Sequence, residues 1–502
     1  MCGIIAYYKI EPPKDPKYLT HRGPDEQVTK KFGKCTMAFS RLSINDVSIN
    51  GSQPFLKDGK MLVCNGEIYN YQEFEEGDEK SNSDCEPLIP LIERLGIHNA
   101  CNIIRGVFAI IWTDGERVMA ARDPIGVRPL FYYKNKDGGM IFSSEVKGLG
   151  NVKAEIFPPG HFYDSYSDRF VCYYPTYWSH TFYAGNPAEL KHTLVEAVQR
   201  RITNTDRPIG FFLSGGLDSS LVVSIAKRLL PPGTILKTFS IGRPDSPDVL
   251  AARKVADYLK TEHHEVEFDF EEGINSLSDI IHSLESYDTT TIRASTPMWL
   301  LSQWIQKNTD CRVLLSGEGS DELLGGYKYF QNAPDEKTFV METCRRVAYL
   351  HQFDVLRTDR CTAAHGLEVR VPFLDRDFIH AVYEQEPVLK MTKDEKKILR
   401  DEFDGGYLPD EILRRKKDAF SDAVGYTWSS HLKEHAEKTI SDQLFEEIKL
   451  TTNGHNIPTT KEEAMYREIF WRHYGVKNDH LIGEIWRPKW TDITDPSALL
   501  IN

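Results

Sequence analysis

The chain has 502 residues, 40% hydrophobic and 27% charged, with a formal net charge of −13. Its length exceeds one ordinary core, so two or three domains are expected. The acidic balance argues against nucleic acid as a constitutive partner, and apolar runs such as Val107 to Trp112 fall far short of the ~20 residues of a membrane span.

Up to about residue 180 the apolar segments are short and separated by turn residues: Met61 to Cys64, Val107 to Trp112, Val118 to Ala121, Leu130 to Tyr133 and Met140 to Phe142. That texture predicts an antiparallel, sheet-rich domain over 2–180. Ser179 to Pro187, with Gly185, Asn186 and Pro187, reads as a linker. From 187 to 502 helical patterns alternate with compact strands. Glu189 to Ile202 is an amphipathic helix, Ile209 to Leu213 a strand and Leu217 to Leu230 a helix, with further strands at Lys237 to Ile241 and Arg312 to Leu315. This alternation predicts a parallel sheet with helices on its faces. The fold class is α/β in two domains.

Cys2 is the most informative single residue. Removal of Met1 would give it a free α-amine beside its thiol. A free thiol titrates near 8.5 and an α-amine near 7.7–8.0, so one residue could supply nucleophile and base together. Read alone, Cys2 is also a small apolar residue opening a first strand. The nine cysteines are scattered without a C-x-x-C pair, which fits neither a zinc site nor a disulfide framework. Reduced thiols in a cytoplasmic protein are the simplest expectation. No basic stretch leads an apolar one at the N-terminus, so no secretory signal is expected.

The strongest motif follows the strand Gly210 to Leu213: Ser214-Gly215-Gly216-Leu217-Asp218-Ser219-Ser220, opening a helix. Adjacent glycines let backbone amides approach a ligand, the serine hydroxyls add donors, and a helix N-terminus favours anions. All this suits phosphate. No Lys-Ser or Lys-Thr follows the glycines, so it is not the P-loop of kinases and GTPases. Asp218 within a phosphate cradle would repel the anion unless Mg²⁺ lay between them.

That loop resembles the pyrophosphate loop of the ATP pyrophosphatases. Along nearly its whole length the chain resembles the glutamine-dependent asparagine synthetases of the bacterial and plant type. The matching pieces are Met1 to Ile4, His21 to Asp25, Arg41 to Ile44, Asn65 to Asn70, Ser83 to Glu86, Ala121 to Asp123 and Ser144-Glu145. In the second half they are Ser214 to Ser220, Tyr287 to Thr296, Ser316 to Glu322, Arg370 to Asp375 and Phe420 to Asp422. The resemblance implies an N-terminal-nucleophile sandwich of antiparallel sheets flanked by helices, then a parallel-sheet ATP-pyrophosphatase domain.

It also implies roles. Cys2 would attack the amide of glutamine, with the Asn65 side chain and the Gly66 N–H stabilising the oxyanion. Arg41, Leu42, Ser43, Ile44, Asn45, Glu67 and Asp84 would complete the glutamine pocket, Arg41 clamping the carboxylate and Asp84 the amine. Leu213 and Ile241 would border adenine at strand ends, with Ser214, Gly215, Gly216, Asp218, Ser219, Ser316 and Gly317 along the nucleotide. Asp218 and Asp321 would hold Mg²⁺. Lys417 would face phosphate, Thr290, Thr291 and Arg293 would contact aspartate, and Glu318 would serve ammonia attack. Alternatives stay open for some of these. Asn65-Gly66 also suits a hairpin turn, the threonine run a strand edge, and Glu318 a helix cap.

The implied enzyme uses ATP as co-substrate to adenylate aspartate, and ammonia from glutamine attacks the β-aspartyl-AMP. The two sites would need an internal passage, since ammonia free in water is mostly protonated. A homodimer is what the family suggests. The alternative is a cyclase of the β-lactam synthetase kind, in which a tyrosine replaces Glu318 and Cys2 is often not functional. Two segments, Tyr8 to His21 and Tyr71 to Asp84, are short beside the family's usual helices, so the lid over the glutamine pocket is expected to be looser.

Overall fold

A computed structural model describes residues 1–14, 18–75, 83–175, 185–416 and 427–492. The contacts divide these residues into two compact units. The first holds the described residues through 175 together with Asn204–Pro208 and Ala363–Glu368; the second holds the remainder.

The first unit is built on twelve strands: β1 (Gly3–Tyr8), β2 (Glu26–Phe32), β3 (Cys35–Arg41), β4 (Phe55–Lys57), β5 (Lys60–Ile68), β6 (Gly106–Thr113), β7 (Val118–Arg122), β8 (Phe131–Lys134), β9 (Met140–Ser143), β10 (Glu155–Ile156), β11 (His161–Asp164) and β12 (Arg169–Cys172). They form two six-stranded sheets, ordered β10-β8-β9-β1-β3-β2 and β12-β11-β7-β6-β5-β4. Every neighbouring pair is antiparallel. Alternate residues of both sheets meet in one apolar cluster: Ile4, Ala6 and Tyr8 from β1 and Met37 and Phe39 from β3 against Met61 and Val63 from β5 and Ala109 and Ile111 from β6. The helix Leu88–Ile103 packs against β5 and buries Leu88, Leu91, Ile92 and Cys101. Burial on both faces explains why Met61 to Cys64 and Val107 to Trp112 are continuously apolar rather than alternating.

The second unit carries a five-stranded sheet ordered β15-β14-β13-β16-β17, where β13 is Ile209–Phe212, β14 Lys237–Gly242, β15 Glu262–Glu267, β16 Val313–Leu315 and β17 Glu368–Arg370. The pairs β13–β14, β14–β15 and β13–β16 are parallel. Helices Leu217–Leu229, Pro247–Leu259 and Thr289–Asn308 lie along the crossovers. The chain runs outward from β13 through β14 to β15 and then returns to the other side of β13 as β16. The C-terminal ends of β13 and β16 are therefore a topological switch point, where open α/β sheets collect ligands. Leu213-Ser214 follows the first of those ends and Ser316 the second.

Two sequence expectations change here. Asn65-Gly66 is not a hairpin turn: both residues lie inside β5, paired opposite Ala109 and Phe108. The threonine run is not a strand edge but the first turn of the helix Thr289–Asn308, capped by Asp288. The linker expected at Ser179 to Pro187 lies largely outside the described residues.

Candidate active sites

In the first unit Cys2 precedes β1 and is half-buried; its Sγ faces the Leu42 carbonyl at 3.7 Å. Its own carbonyl accepts from Arg22 Nε at 3.0 Å. The fully buried Arg22 guanidinium is fixed by Glu145 at 2.8 Å, and His21 and Lys147 reach the other Glu145 oxygen at 2.8 and 2.7 Å. Ile4 N–H donates to Ser144 Oγ at 3.1 Å. The motifs His21-Arg22 and Ser144-Glu145, which had no role in the sequence, thus brace the residue after Met1. Burial raises the Cys2 thiol to about 11 and lowers the Met1 amine to about 6.

Around Cys2 the loop 41–46, the end of β5 and the turn at 83–86 are tied together. Glu67 Oε2 accepts from Asn45 at 2.7 Å and from Asn204 at 3.1 Å, and Asp84 Oδ2 accepts from the Ile68 N–H at 2.7 Å. Ser43 N–H donates to Asp25 at 2.8 Å, while Leu42 and Ile44 are buried. Arg41 donates to the Asp46 carbonyl and lies 3.5 Å from Glu26. Asn65 is 0% exposed, yet neither its Nδ2 nor its Oδ1 has a partner among the described residues. A buried amide without partners costs about 1–3 kcal/mol, a cost that a hydrogen-bonding ligand would relieve. It adjoins Gly66, the other residue assigned to the oxyanion.

In the second unit a pocket opens at the switch point. Phe239, Ile241, Leu213, Val249, Met298 and Leu301 give it an apolar end. Beside them Ser214 Oγ and Ser219 Oγ lie 3.0 Å apart, and Ser214 Oγ accepts from the Gly216 N–H at 3.3 Å. Gly215 sits at φ +74°, and a Cβ there would come within 2.4 Å of the Ala252 nitrogen. A Cβ on Gly317 would come within 2.7 Å of the Ser219 nitrogen, so only glycine lets these two loops touch.

Asp218 and Asp321 are joined by Lys396, whose buried Nζ lies 2.6 Å from each. Burial opposes the ammonium, yet the two carboxylates hold its pKa above the ordinary value. Asp218 also accepts from Ser320 Oγ at 2.7 Å. Mg²⁺ is commonly held by one or two carboxylates completed by substrate phosphates, and this pair beside a phosphate loop fits that donor set. Among the described residues no cluster of three or more His, Cys, Asp and Glu offers an all-protein metal site.

The pocket's other end holds Thr290, Glu318, Tyr327, Asp354, Arg357 and Trp486. The buried Arg357 guanidinium lies 2.8 Å from Glu318 and 2.7 Å from Asp354. Burial pushes the Glu318 carboxyl above its ordinary range, against the pull of Arg357. Of the three residues expected at aspartate, the structure brings only Thr290 to the pocket wall. Thr291 caps onto Asp288 through N–H and Oγ1 at 2.8 and 2.7 Å, and Arg293 forks onto Glu462 at 2.8 and 2.6 Å. Lys417 and the segment Phe420 to Asp422 lie outside the described residues, while Arg415 and Lys416 reach the pocket. Lys396, Asp354, Arg357 and Trp486 were missed in the sequence, because none belongs to a motif and only folding brings them to the pocket.

Residues 189–341 and 331–492 match the family described as asparagine synthase, and residues 1–163 match the glutamine amidotransferase domain. A glutamine-hydrolysing asparagine synthetase of Lotus japonicus is 39% identical over 551 aligned residues, covering 99% of this chain and 93% of that protein. The chain belongs to the glutamine-hydrolysing asparagine synthetase family. A probable member from Acanthamoeba polyphaga mimivirus is 40% identical over 555 residues, covering 100% of both. Another, from Dictyostelium discoideum, is 41% identical over 550 residues, covering 99% of this chain and 98% of that one. These alignments run longer than the 502-residue chain, so gaps open within it, as the short segments of the sequence suggest. Among the described residues no helix is long and apolar enough to cross a membrane.

Proposed function

We propose that the chain makes asparagine from aspartate through β-aspartyl-AMP, with ATP cleaved to AMP and pyrophosphate and ammonia taken from glutamine at Cys2. The Cys2 thiolate attacks the side-chain carbonyl of glutamine, ammonia leaves, and water hydrolyses the γ-glutamyl thioester to glutamate. Asn65 Nδ2 and the Gly66 N–H receive the oxyanion, while Arg41 and Asp84 take the substrate carboxylate and amine.

In the pocket, a β-carboxylate oxygen of aspartate attacks the α-phosphorus and pyrophosphate leaves. The loop 214–219, Ser316 and Gly317 orient the nucleotide, whose adenine lies against Leu213 and Ile241. Lys396 lies beside its phosphates, a role the family resemblance also gives to Lys417. Bound with the triphosphate at Asp218 and Asp321, Mg²⁺ supplies charge neutralisation. Thr290 and the Asp354–Arg357 pair meet the acceptor acid, Arg357 matching a carboxylate and Asp354 an ammonium. Ammonia then attacks the acyl carbon, AMP leaves, and Glu318 takes the proton shed by the adduct.

The observation that supports this reading best is a single pocket that joins a phosphate loop and an Asp–Lys–Asp cluster to a buried Glu–Arg–Asp cluster. A cyclase with an internal amine would leave the Cys2 site and its orphaned Asn65 amide without use. Incubation with aspartate, ATP, Mg²⁺ and glutamine, followed by mass spectrometry, tests the proposal. Asparagine, AMP, pyrophosphate and glutamate in equal amounts are expected; ADP in place of AMP, or no new amide, overturns it.

A further inference from the structure

Trp486 belongs to the described end of the chain, more than a hundred residues from the other pocket residues at this end, yet it lines the pocket together with Thr290, Tyr327 and Arg357. It is buried and held from three sides. Its backbone N–H donates at 2.7 Å to Asp288 Oδ1, a carboxylate 0% exposed. The other Asp288 oxygen caps the helix Thr289–Asn308, so one side chain fixes both Trp486 and the neighbouring Thr290. The Arg346 guanidinium stacks 4.4 Å from the indole, and Glu342 grips Arg346 at 2.8 Å. The Tyr327 ring meets the indole edge-on at 5.7 Å, and its hydroxyl donates to Glu322.

The indole is a large, rigid surface beside Thr290, Glu318, Tyr327, Asp354 and Arg357, and one of its faces is already taken by Arg346. What it does is limit length. We infer that the indole of Trp486 is the wall that sets the size of the dicarboxylic acid adenylated in this pocket, admitting the four-carbon acid and rejecting its five-carbon homologue. This rests on the function proposed above. One methylene against a fixed apolar wall is worth roughly 10–200-fold in discrimination. Asp288 is the positioning residue behind the wall, since losing its carboxylate frees the Trp486 backbone.

The test is pyrophosphate release with aspartate and with glutamate as acceptor, in the full chain with ATP and Mg²⁺. For Trp486→Ala the ratio of kcat/KM for aspartate to that for glutamate should fall at least tenfold, mainly through glutamate gaining. Trp486→Phe should hold most of the original ratio, and Asp288→Asn should lower it with both acids still used. If Trp486→Ala does not fold, Trp486→Leu reads the same ratio, with the same fall expected. A ratio unchanged in the folded Ala or Leu variant, both acids losing equally, overturns the inference. Failure of the unmodified chain to release pyrophosphate with aspartate would instead overturn the proposed function.

Discussion

Keeping Met1 in place should silence glutamine hydrolysis. With Met1 attached, burial holds the Cys2 thiol at about 11, so at pH 7.5 roughly 1 in 3,000 molecules carries the thiolate. A thiol at its ordinary pKa of about 8.5 would give roughly 1 in 10 at that pH. Removing Met1 places an α-amine, ordinarily at 7.7–8.0, on Cys2 itself as a base. The sign is set by the thiol being a neutral acid: a raised pKa means less nucleophile at neutral pH, recovered only as pH rises towards 11. A chain with an uncleavable Met1 should therefore hydrolyse glutamine ~10²–10³-fold more slowly than the chain without it. The direct assay is iodoacetamide labelling mapped to the Cys2 peptide, because Cys172 is exposed and will also react. With Met1 retained, the Cys2 rate should climb tenfold per pH unit to about pH 11. Equal glutaminase rates in the two forms, or a Cys2 labelling midpoint near 8.5 with Met1 retained, would show that burial behind Met1 does not hold the thiol protonated.

Three further outcomes are expected. Asp218→Asn and Asp321→Asn should each abolish synthesis from both glutamine and ammonium salts while sparing glutamine hydrolysis; native synthesis in Asp321→Asn would remove that residue from the phosphate site. Glu318→Gln should lower synthesis by roughly 10²–10⁴-fold, the span of a positioned base, while glutamine hydrolysis continues uncoupled; the following helix is capped by Gly319 without a side-chain bond, so a near-native rate with only a lowered melting temperature would leave Glu318 only its structural ion pair with Arg357. Glu342 is held at about 2: burial works to raise it, but Arg345, Arg346 and Lys489 outweigh burial. Its folded value lies below the ordinary 4.5, so its contribution of ~3 kcal/mol is complete above that pH and is lost as pH falls towards 2. Glu342→Gln should lower the melting temperature at pH 7 and flatten its acid dependence, which pH-resolved thermal melts will read.

The strand, glycine-rich turn and helix start over 209–220 were legible because the signal is local: glycines, hydroxyls and an acid within seven consecutive residues. The place of Cys2 just ahead of a first strand was legible for the same reason. The face that the threonine run turns to the pocket was not. The helix Thr289–Asn308 presents Thr290, Ala294, Met298 and Leu301 to the pocket, a helical spacing that leaves Thr291 and Arg293 on other faces. A motif read as a string does not reveal which of its members share a face. Lys396 sits in a run of lysines and acids that looks like a solvated surface until folding buries its Nζ between two carboxylates. Asn65-Gly66 carries a turn-like dipeptide, but the apolar residues before it and the partner strand β6 draw it into the middle of a sheet, where its amide is orphaned.

Oxygen tracing distinguishes an acyl adenylate made from aspartate from every route that phosphorylates it. Aspartate labelled with ¹⁸O in both β-carboxylate oxygens should yield AMP carrying one label and asparagine carrying the other, because the attacking oxygen leaves with AMP. Unlabelled AMP, or label found in orthophosphate alongside ADP, would rule out the adenylate.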